Sequence, residues 1–232
     1  ITKSDMPKIM LNKLISEQND LHNQNLFIKK FSLPILLAFL FALFNQLSGI
    51  NAFLYYAPRI FESAGLESSS ALLGTIGIGI ANLIFTLLGL YLIDKVGRKS
   101  LMYIGSIGYI ISLSLVSLAF INSWEGLSVP LFLFIFIASH AMGQGAVIWV
   151  FISEIFPNKL RAKGQSLGSS VHWILAAIIT LVMPTALSYF NNPGYVFIFF
   201  AFMMVLQLLF VAFLMPETKG ISLEDLSEKL SS

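Results

Sequence analysis

The sequence predicts an all-α integral membrane protein in which six transmembrane helices form a 3+3 inverted repeat. Three observations carry this expectation. Hydrophobic residues make up 56% of the 232 positions and charged residues only 11%, against roughly a quarter charged in ordinary soluble domains. Six long stretches contain no Asp, Glu, Lys or Arg: 31–58, 71–93, 101–121, 130–153, 168–190 and 195–215. Each reaches the roughly 20 residues that a helix needs to cross about 30 Å of hydrocarbon. Finally, the first and fourth stretches share a layout: Gln46, Gly49, aromatic residues and Pro58 in one, and Gln144, Gly145, aromatic residues and Pro157 in the other. An odd number of crossings separates them, so they run in opposite directions, as two inverted three-helix units would.

The elements follow in order. Residues 1–30 are predicted to be a cytoplasmic amphipathic helix and linker, with Ser4 or Asp5 ahead of Pro7 as the helix start and Ile9, Met10, Leu14 and Ile15 on one face. This segment is polar and Asn-rich and does not resemble a signal peptide. The chain begins at Ile1, which reads as a fragment or a processed product. Residues 31–216 hold the six spans. Lys29, Lys30, Lys95, Arg98, Lys99, Lys159, Arg161, Lys163 and Lys219 fall on one side of them and only Arg59 on the other. By the positive-inside rule both termini face the cytoplasm. The chain is therefore expected to be a multi-pass protein of the plasma membrane, or of the inner membrane if bacterial. Residues 217–232 form a cytoplasmic tail in which "SLEDLSEKL" can make one or two helical turns.

Composition also excludes several functions. Cysteine is absent, which removes disulfides, thiolate zinc sites and cysteine nucleophiles. A formal net charge of +2 does not point to a nucleic-acid partner. Ser139, His140 and Glu154 do not make a catalytic set, because adjacent helical side chains diverge and Glu154 lies at the far end of its span. His140 and His172 stand on different spans without a carboxylate, too few ligands for a metal. No cofactor is implied, and the chain is not expected to be an enzyme.

What remains is a neutral polar set inside the spans: Asn45, Gln46, Asn51, Asn82, Gln144, His140, His172 and several hydroxyls. Such groups are unfavourable in lipid unless they bond neighbouring helices, line a wet cavity or hold a ligand. Amides with aromatic rings suit a neutral polyhydroxylated ligand better than an ionic one. Trp149 and Trp173 lie within spans, where an indole can cover an apolar ring face, whereas Trp124 falls at a boundary as an interface anchor. On an unbroken helix Gln46 and Asn51 would point about 140° apart. Ser48 and Gly49 intervene, so a break near Gly49 is predicted, turning both amides and Tyr55 or Tyr56 toward one cavity. Hydrogen bonding between helices explains the same amides equally well on the residues alone.

Four motifs occur in order. "QLSGINAFLYYAP" lies in the first span, "DKVGRK" (94–99) between the second and third, "EIFPNKLRAKG" at the close of the fourth, and "PETKG" (216–220) after the sixth. Together they resemble the C-terminal half of the sugar porters, a branch of the major facilitator superfamily that contains bacterial xylose symporters and facilitative glucose carriers. The resemblance covers the chain from about residue 31 to its end. It implies one six-helix half of a monosaccharide transporter working by alternating access, with a hexose or pentose as substrate, the lipid bilayer and a missing N-terminal six-helix half as partners, and proton coupling left open. The alternatives are an isolated half acting as a non-transporting binding or sensor module, and a carrier for another neutral polyol.

The resemblance also assigns residues. Asn45, Gln46, Asn51 and Asn82 are expected to contact sugar hydroxyls, with Tyr55, Tyr56, His140, Gly145, Trp149, His172 and Trp173 completing the site. Asp94, Arg98, Lys99, Glu154, Arg161 and Glu217 are expected to form a cytoplasmic ion-pair network that holds the outward-open state and releases when the halves rock, the alternative being solvated charges flanking the bilayer. Pro157 leaves the Glu154–Arg161 geometry open. Four departures from the family's pattern stand out. Asn45 replaces a usual glutamine, His140 a common phenylalanine and His172 a common amide. Gln144, Ala146 and Ile148 stand where prolines are frequent, so bending of the fourth span falls to Gly143 and Gly145.

Overall fold

The computed structural model describes residues 25–124 and 126–230; the amphipathic helix expected near residues 5–15 lies outside them. Six helical spans are present, Lys29–Ser63, Ser68–Val96, Arg98–Ile121, Ser128–Glu154, Arg161–Tyr189 and Gly194–Phe213, each long and apolar enough to cross a membrane. The described residues contain helices and connections and no strand. The charge-free stretches thus match the observed helices, running past their ends by two residues at most, at 190 and at 214–215, while the helices extend beyond the stretches by up to about two turns.

Two of the six spans are interrupted. The first is split into α1 (Ser32–Leu47) and α2 (Ile50–Ser63), because Gly49 adopts φ +80°. A left-handed residue cannot continue a right-handed helix, and only glycine visits that region readily. Ser48 stabilises the break: its hydroxyl donates to the Asn45 carbonyl at 2.6 Å and accepts the Ile50 amide at 3.3 Å. Pro58 lies within α2. The second and third spans are α3 (Ser68–Val96) and α4 (Arg98–Ile121). The fourth is α5 (Ser128–His140), a π-helical turn over Ala141–Gly145, and α6 (Ala146–Glu154). The remaining two are α7 (Arg161–Tyr189) and α8 (Gly194–Phe213), and α9 (Leu223–Leu230) follows in the tail.

The π turn is where the fourth span bends, and small residues make room for it. A Cβ on Gly143 would lie 2.8 Å from the Gly105 Cα, and one on Gly89 would lie 2.9 Å from both Ala146 Cβ and the Met142 carbonyl. Close backbone approach of α3 and α4 to the fourth span thus accompanies a π turn at which Gln144, Ala146 and Ile148 stand in place of proline.

Packing divides the bundle into two apolar clusters with a polar layer between them. One cluster gathers Phe53, Phe61, Tyr109, Leu113, Phe136, Phe197 and Phe200. The other gathers Leu37, Phe41, Leu101, Phe151, Phe156, Phe210, Leu226 and Leu230 at the basic end. The tail helix α9 docks here through Leu226 and Leu230, which are 1% and 6% exposed. Between the clusters lie Asn45, Gln46, Ser48, Gln144 and His172, all buried. The spans differ in burial: only 17% of the apolar windows of α3 and α7 is covered within the bundle, against 44–61% for the other four spans. α3 and α7 therefore carry long apolar faces that only lipid or another helical bundle can cover.

Candidate functional site

The break at Gly49 brings three amides together. Asn51 Nδ2 donates to Gln46 Oε1 at 2.9 Å, and Gln46 Nε2 donates to Asn45 Oδ1 at 3.0 Å. Gln46 Nε2 also stands 3.1 Å from each ring nitrogen of His172 on α7. An amide nitrogen has two protons, so one serves Asn45 and the other is directed at the imidazole. The His172 ring in turn packs between two indoles, 5.1 Å from Trp149 and 4.9 Å from Trp173.

In front of this cluster is a cavity of about 290 Å³ lined by Asn45, Asn51, Asn82, Thr86, His140, Gly145, Trp149, His172 and Trp173, with Ile50, Leu54, Ala141 and Ile148 between them. The lining comes from α1, α2, α3, the bent fourth span and α7, so both interruptions open onto it. Its polar groups are neutral amides, hydroxyls and imidazoles. No carboxylate lines it, and the described residues hold no group of three His, Cys, Asp or Glu side chains able to bind a metal. The volume falls at the small end of ligand sites, which run from about 300 Å³ upward.

Most of the residues expected at the site meet here, with two corrections. Gln46 does not reach the cavity: it is 0% exposed and its amide is engaged by Asn45, Asn51 and His172. It holds the lining residues in place from behind. Tyr55 and Tyr56 lie a turn or more beyond Asn51 along α2, about 6–8 Å further out. There they line a separate hollow of about 450 Å³ with Trp173, Ala176, Ala177, Thr180 and Leu181, and the Tyr56 hydroxyl donates to the Thr180 carbonyl at 3.3 Å. Trp173 borders both spaces. Thr86 was missed from sequence; its signal was the i, i+4 spacing from Asn82, which places both on one face of α3.

The charged motifs converge at the basic end. The Arg98 guanidinium grips Glu154 with two bonds, Nη2 to Oε1 at 2.7 Å and Nε to Oε2 at 3.2 Å, and bonds Asp94 through Nη1 at 2.8 Å. The Thr218 hydroxyl donates to Glu154 Oε2 at 2.6 Å, tying "PETKG" to this pair. Glu217 forms no ion pair among the described residues. Its carboxylate accepts the backbone N–H groups of Arg98 and Lys99, each at 3.0 Å, and so caps the N-terminus of α4 from 119 positions away. Charge and free donors make that helix end a natural seat for an anion. The glycine of "DKVGRK" is required by this contact: Gly97 has φ +100°, and a Cβ there would stand 2.6 Å from Glu217 Oε2.

Two expected members of the network are placed otherwise. Lys99 Nζ reaches the Ala212 carbonyl at 3.3 Å, much as Lys219 Nζ, outside the expected set, reaches the Lys95 carbonyl at 2.6 Å. Arg161 begins a new helix after the Pro157 turn and donates to Asn158 at 2.6 Å; it shares a hollow with Glu154 but makes no ion pair with it. The helix containing Glu154 ends at that residue, so the two-turn register that would have paired them does not exist.

Comparison with known proteins agrees with this architecture. A family model described as "Sugar (and other) transporter" matches residues 3–230. The D-xylose-proton symporter of Escherichia coli (strain K12) is 36% identical over 198 residues, covering 83% of this chain and 40% of that protein. The glucose facilitated diffusion protein of Zymomonas mobilis is 34% identical over 192 residues, covering 81% of this chain and 41% of that protein. Among solved structures, the major facilitator superfamily proton:xylose symporter XylE bound to 6-bromo-6-deoxy-D-glucose matches with a TM-score of 0.77 at 36% identity, over 85% of this chain and 42% of that one. The chain thus spans about two fifths of the length of these relatives, all of them transporters rather than enzymes. With six apolar spans, four motifs in order and matches to this depth, the chain belongs to the sugar porter family of the major facilitator superfamily.

Proposed function

We propose that residues 31–216 are the C-terminal six-helix half of a monosaccharide carrier, that both termini are cytoplasmic, and that the sugar binds in the cavity between the two broken spans. The observation that carries this reading is a small hollow lined by neutral amides, imidazoles and indoles, midway between two apolar clusters. A sugar presents hydroxyls that both donate and accept and C–H faces that are apolar. Asn45, Asn51, Asn82 and Thr86 match the first, and Trp149 and Trp173 the second. Gln46 positions Asn45 and Asn51, while Tyr55 and Tyr56 line the approach from the outer side.

Alternating access needs a second bundle, and the sparsely covered faces of α3 and α7 are the surfaces on which it would rest. The Arg98–Glu154–Asp94 pairs and the Glu217 cap latch the basic end in the conformation described. Charge reversal at Glu154 releases that latch and shifts accessibility while leaving the sugar contacts intact.

Reconstitution into liposomes tests the reading: the chain alone, an N-terminal half alone and the two together are assayed for uptake of labelled xylose and glucose. Saturable uptake by the pair, competed by unlabelled sugar, supports it. Saturable binding without uptake by the pair supports the alternative of a membrane binding module, and absence of sugar binding removes the carrier reading. An imposed proton gradient in the same assay separates symport from facilitated diffusion.

A further inference from the structure

We propose that Tyr109 fixes the tautomer of His140, so that this part of the cavity wall is a hydrogen-bond acceptor selecting a ligand hydroxyl that donates there. The inference rests on the sugar-binding reading above. His140 ends α5 on the cavity wall, and Tyr109, fully buried on α4, bonds its Nδ1 through the phenolic hydroxyl. The same hydroxyl lies 3.5 Å from Gln144 Oε1, and Gln144 Nε2 lies 3.4 Å from the Phe41 carbonyl.

Proton counting selects one arrangement. A neutral imidazole has one N–H and a phenol one O–H. If the phenol donated to Nδ1, Gln144 Oε1 would have no donor among the described residues, although Gln144 is only 1% exposed. Unpaired buried carbonyl oxygens are unfavourable. If Nδ1–H donates to the phenolic oxygen, the phenol is free to donate to Gln144 Oε1 and Gln144 Nε2 to Phe41. The bonds then run one way, His140 to Tyr109 to Gln144 to a backbone carbonyl, and the buried Gln144 Oε1 has its donor.

That direction leaves His140 Nε2 without a proton. Nε2 makes no hydrogen bond among the described residues and lies beside Gly145, where a Cβ would stand 3.2 Å from it. Both residues line the cavity. Gly145 thus keeps the nitrogen uncovered, and the wall presents a lone pair that accepts and does not donate. Asn45, Asn51, Asn82 and Thr86 can do either, the indoles of Trp149 and Trp173 only donate, and the His172 ring already meets the Gln46 amide, so His140 is the position that distinguishes a hydroxyl from a group that only accepts.

The test uses the chain assembled with an N-terminal half. Equilibrium binding is measured for the transported sugar and for its monofluoro-deoxy analogues, since fluorine cannot donate. The wild type is expected to reject one analogue by about tenfold. Tyr109→Phe and His140→Phe should each lose that discrimination, and the double variant should behave as His140→Phe alone. Tyr109→Phe weakening the sugar and all analogues alike, additively with His140→Phe, would overturn the proposal. Nitrogen-15 NMR of labelled histidine, assigned by loss of signal in His140→Phe, reads the tautomer without a Tyr109 variant: an unprotonated Nε2 is expected, and a protonated Nε2 refutes the assignment while leaving sugar binding itself unaffected. Failure of the wild type to bind any monosaccharide would instead overturn the carrier reading, and this one with it.

Discussion

Replacing Gly49 by alanine probes the break on which the cavity depends. Two penalties add at this position. The backbone is left-handed at φ +80°, which is unfavourable for an L-residue by roughly 1–2 kcal/mol. The new methyl would also stand 2.7 Å from Phe200 Cδ2, and forcing extra volume into a packed core costs about 1–3 kcal/mol. Together they predict a destabilisation of about 2–5 kcal/mol. If the backbone relaxes toward a continuous helix, Asn51 turns away from Gln46 and sugar binding is lost as well. The assay is the thermal midpoint of detergent-purified protein, followed by size-exclusion fluorescence, alongside sugar binding. Phe200→Ala separates the two terms: in that background the steric part disappears, and only about 1–2 kcal/mol of the Gly49→Ala effect should remain. A Gly49→Ala variant with unchanged midpoint and unchanged affinity would refute the account of the break, and full additivity with Phe200→Ala would refute the steric half of it.

Further expectations concern the amides and the basic end. Gln46→Ala leaves Asn45 Oδ1 and Asn51 Nδ2 without their partner, at about 1–3 kcal/mol for each unpaired buried group, so sugar affinity should fall about tenfold or more with the protein still inserted; unchanged affinity would show that Gln46 positions nothing. Arg98 and Glu154 side chains are 10% and 18% exposed but that of Asp94 is 79% exposed. Glu154→Ala is therefore expected to shift the thermal midpoint several times more than Asp94→Ala, whose exposed pair contributes about 0–1 kcal/mol; equal shifts would contradict the assignment. Glu217→Gln keeps the shape of the α4 cap but removes its charge, and should lower stability by about 0.3–1 kcal/mol, less than Glu217→Ala. The chain contains no cysteine, so single cysteines placed along α3 report accessibility without background labelling. Glu154→Lys should change that pattern, and an unchanged pattern would sink the latch.

Sequence alone determined the solvent, the number of spans and where they turn. Hydrocarbon tolerates no unpaired charge or backbone group, so charge-free stretches mark the spans and the charged residues between them mark the connections. The break at Gly49 was legible for the same local reason: a Ser–Gly pair between two amides has few other uses in a span. Only tertiary structure decided which polar residues face the cavity, because that depends on partners far away in the chain. Gln46 was withdrawn from the wall by His172, 126 positions distant; Glu217 became a helix cap because α4 begins beside it; Arg161, after the turn at Pro157, bonds Asn158 instead of Glu154; Tyr109, which no motif marks, bonds His140. Hydrophobic burial is a property that each residue carries with it, whereas a hydrogen bond exists only where two groups meet, and their meeting is set by the packing of the whole bundle.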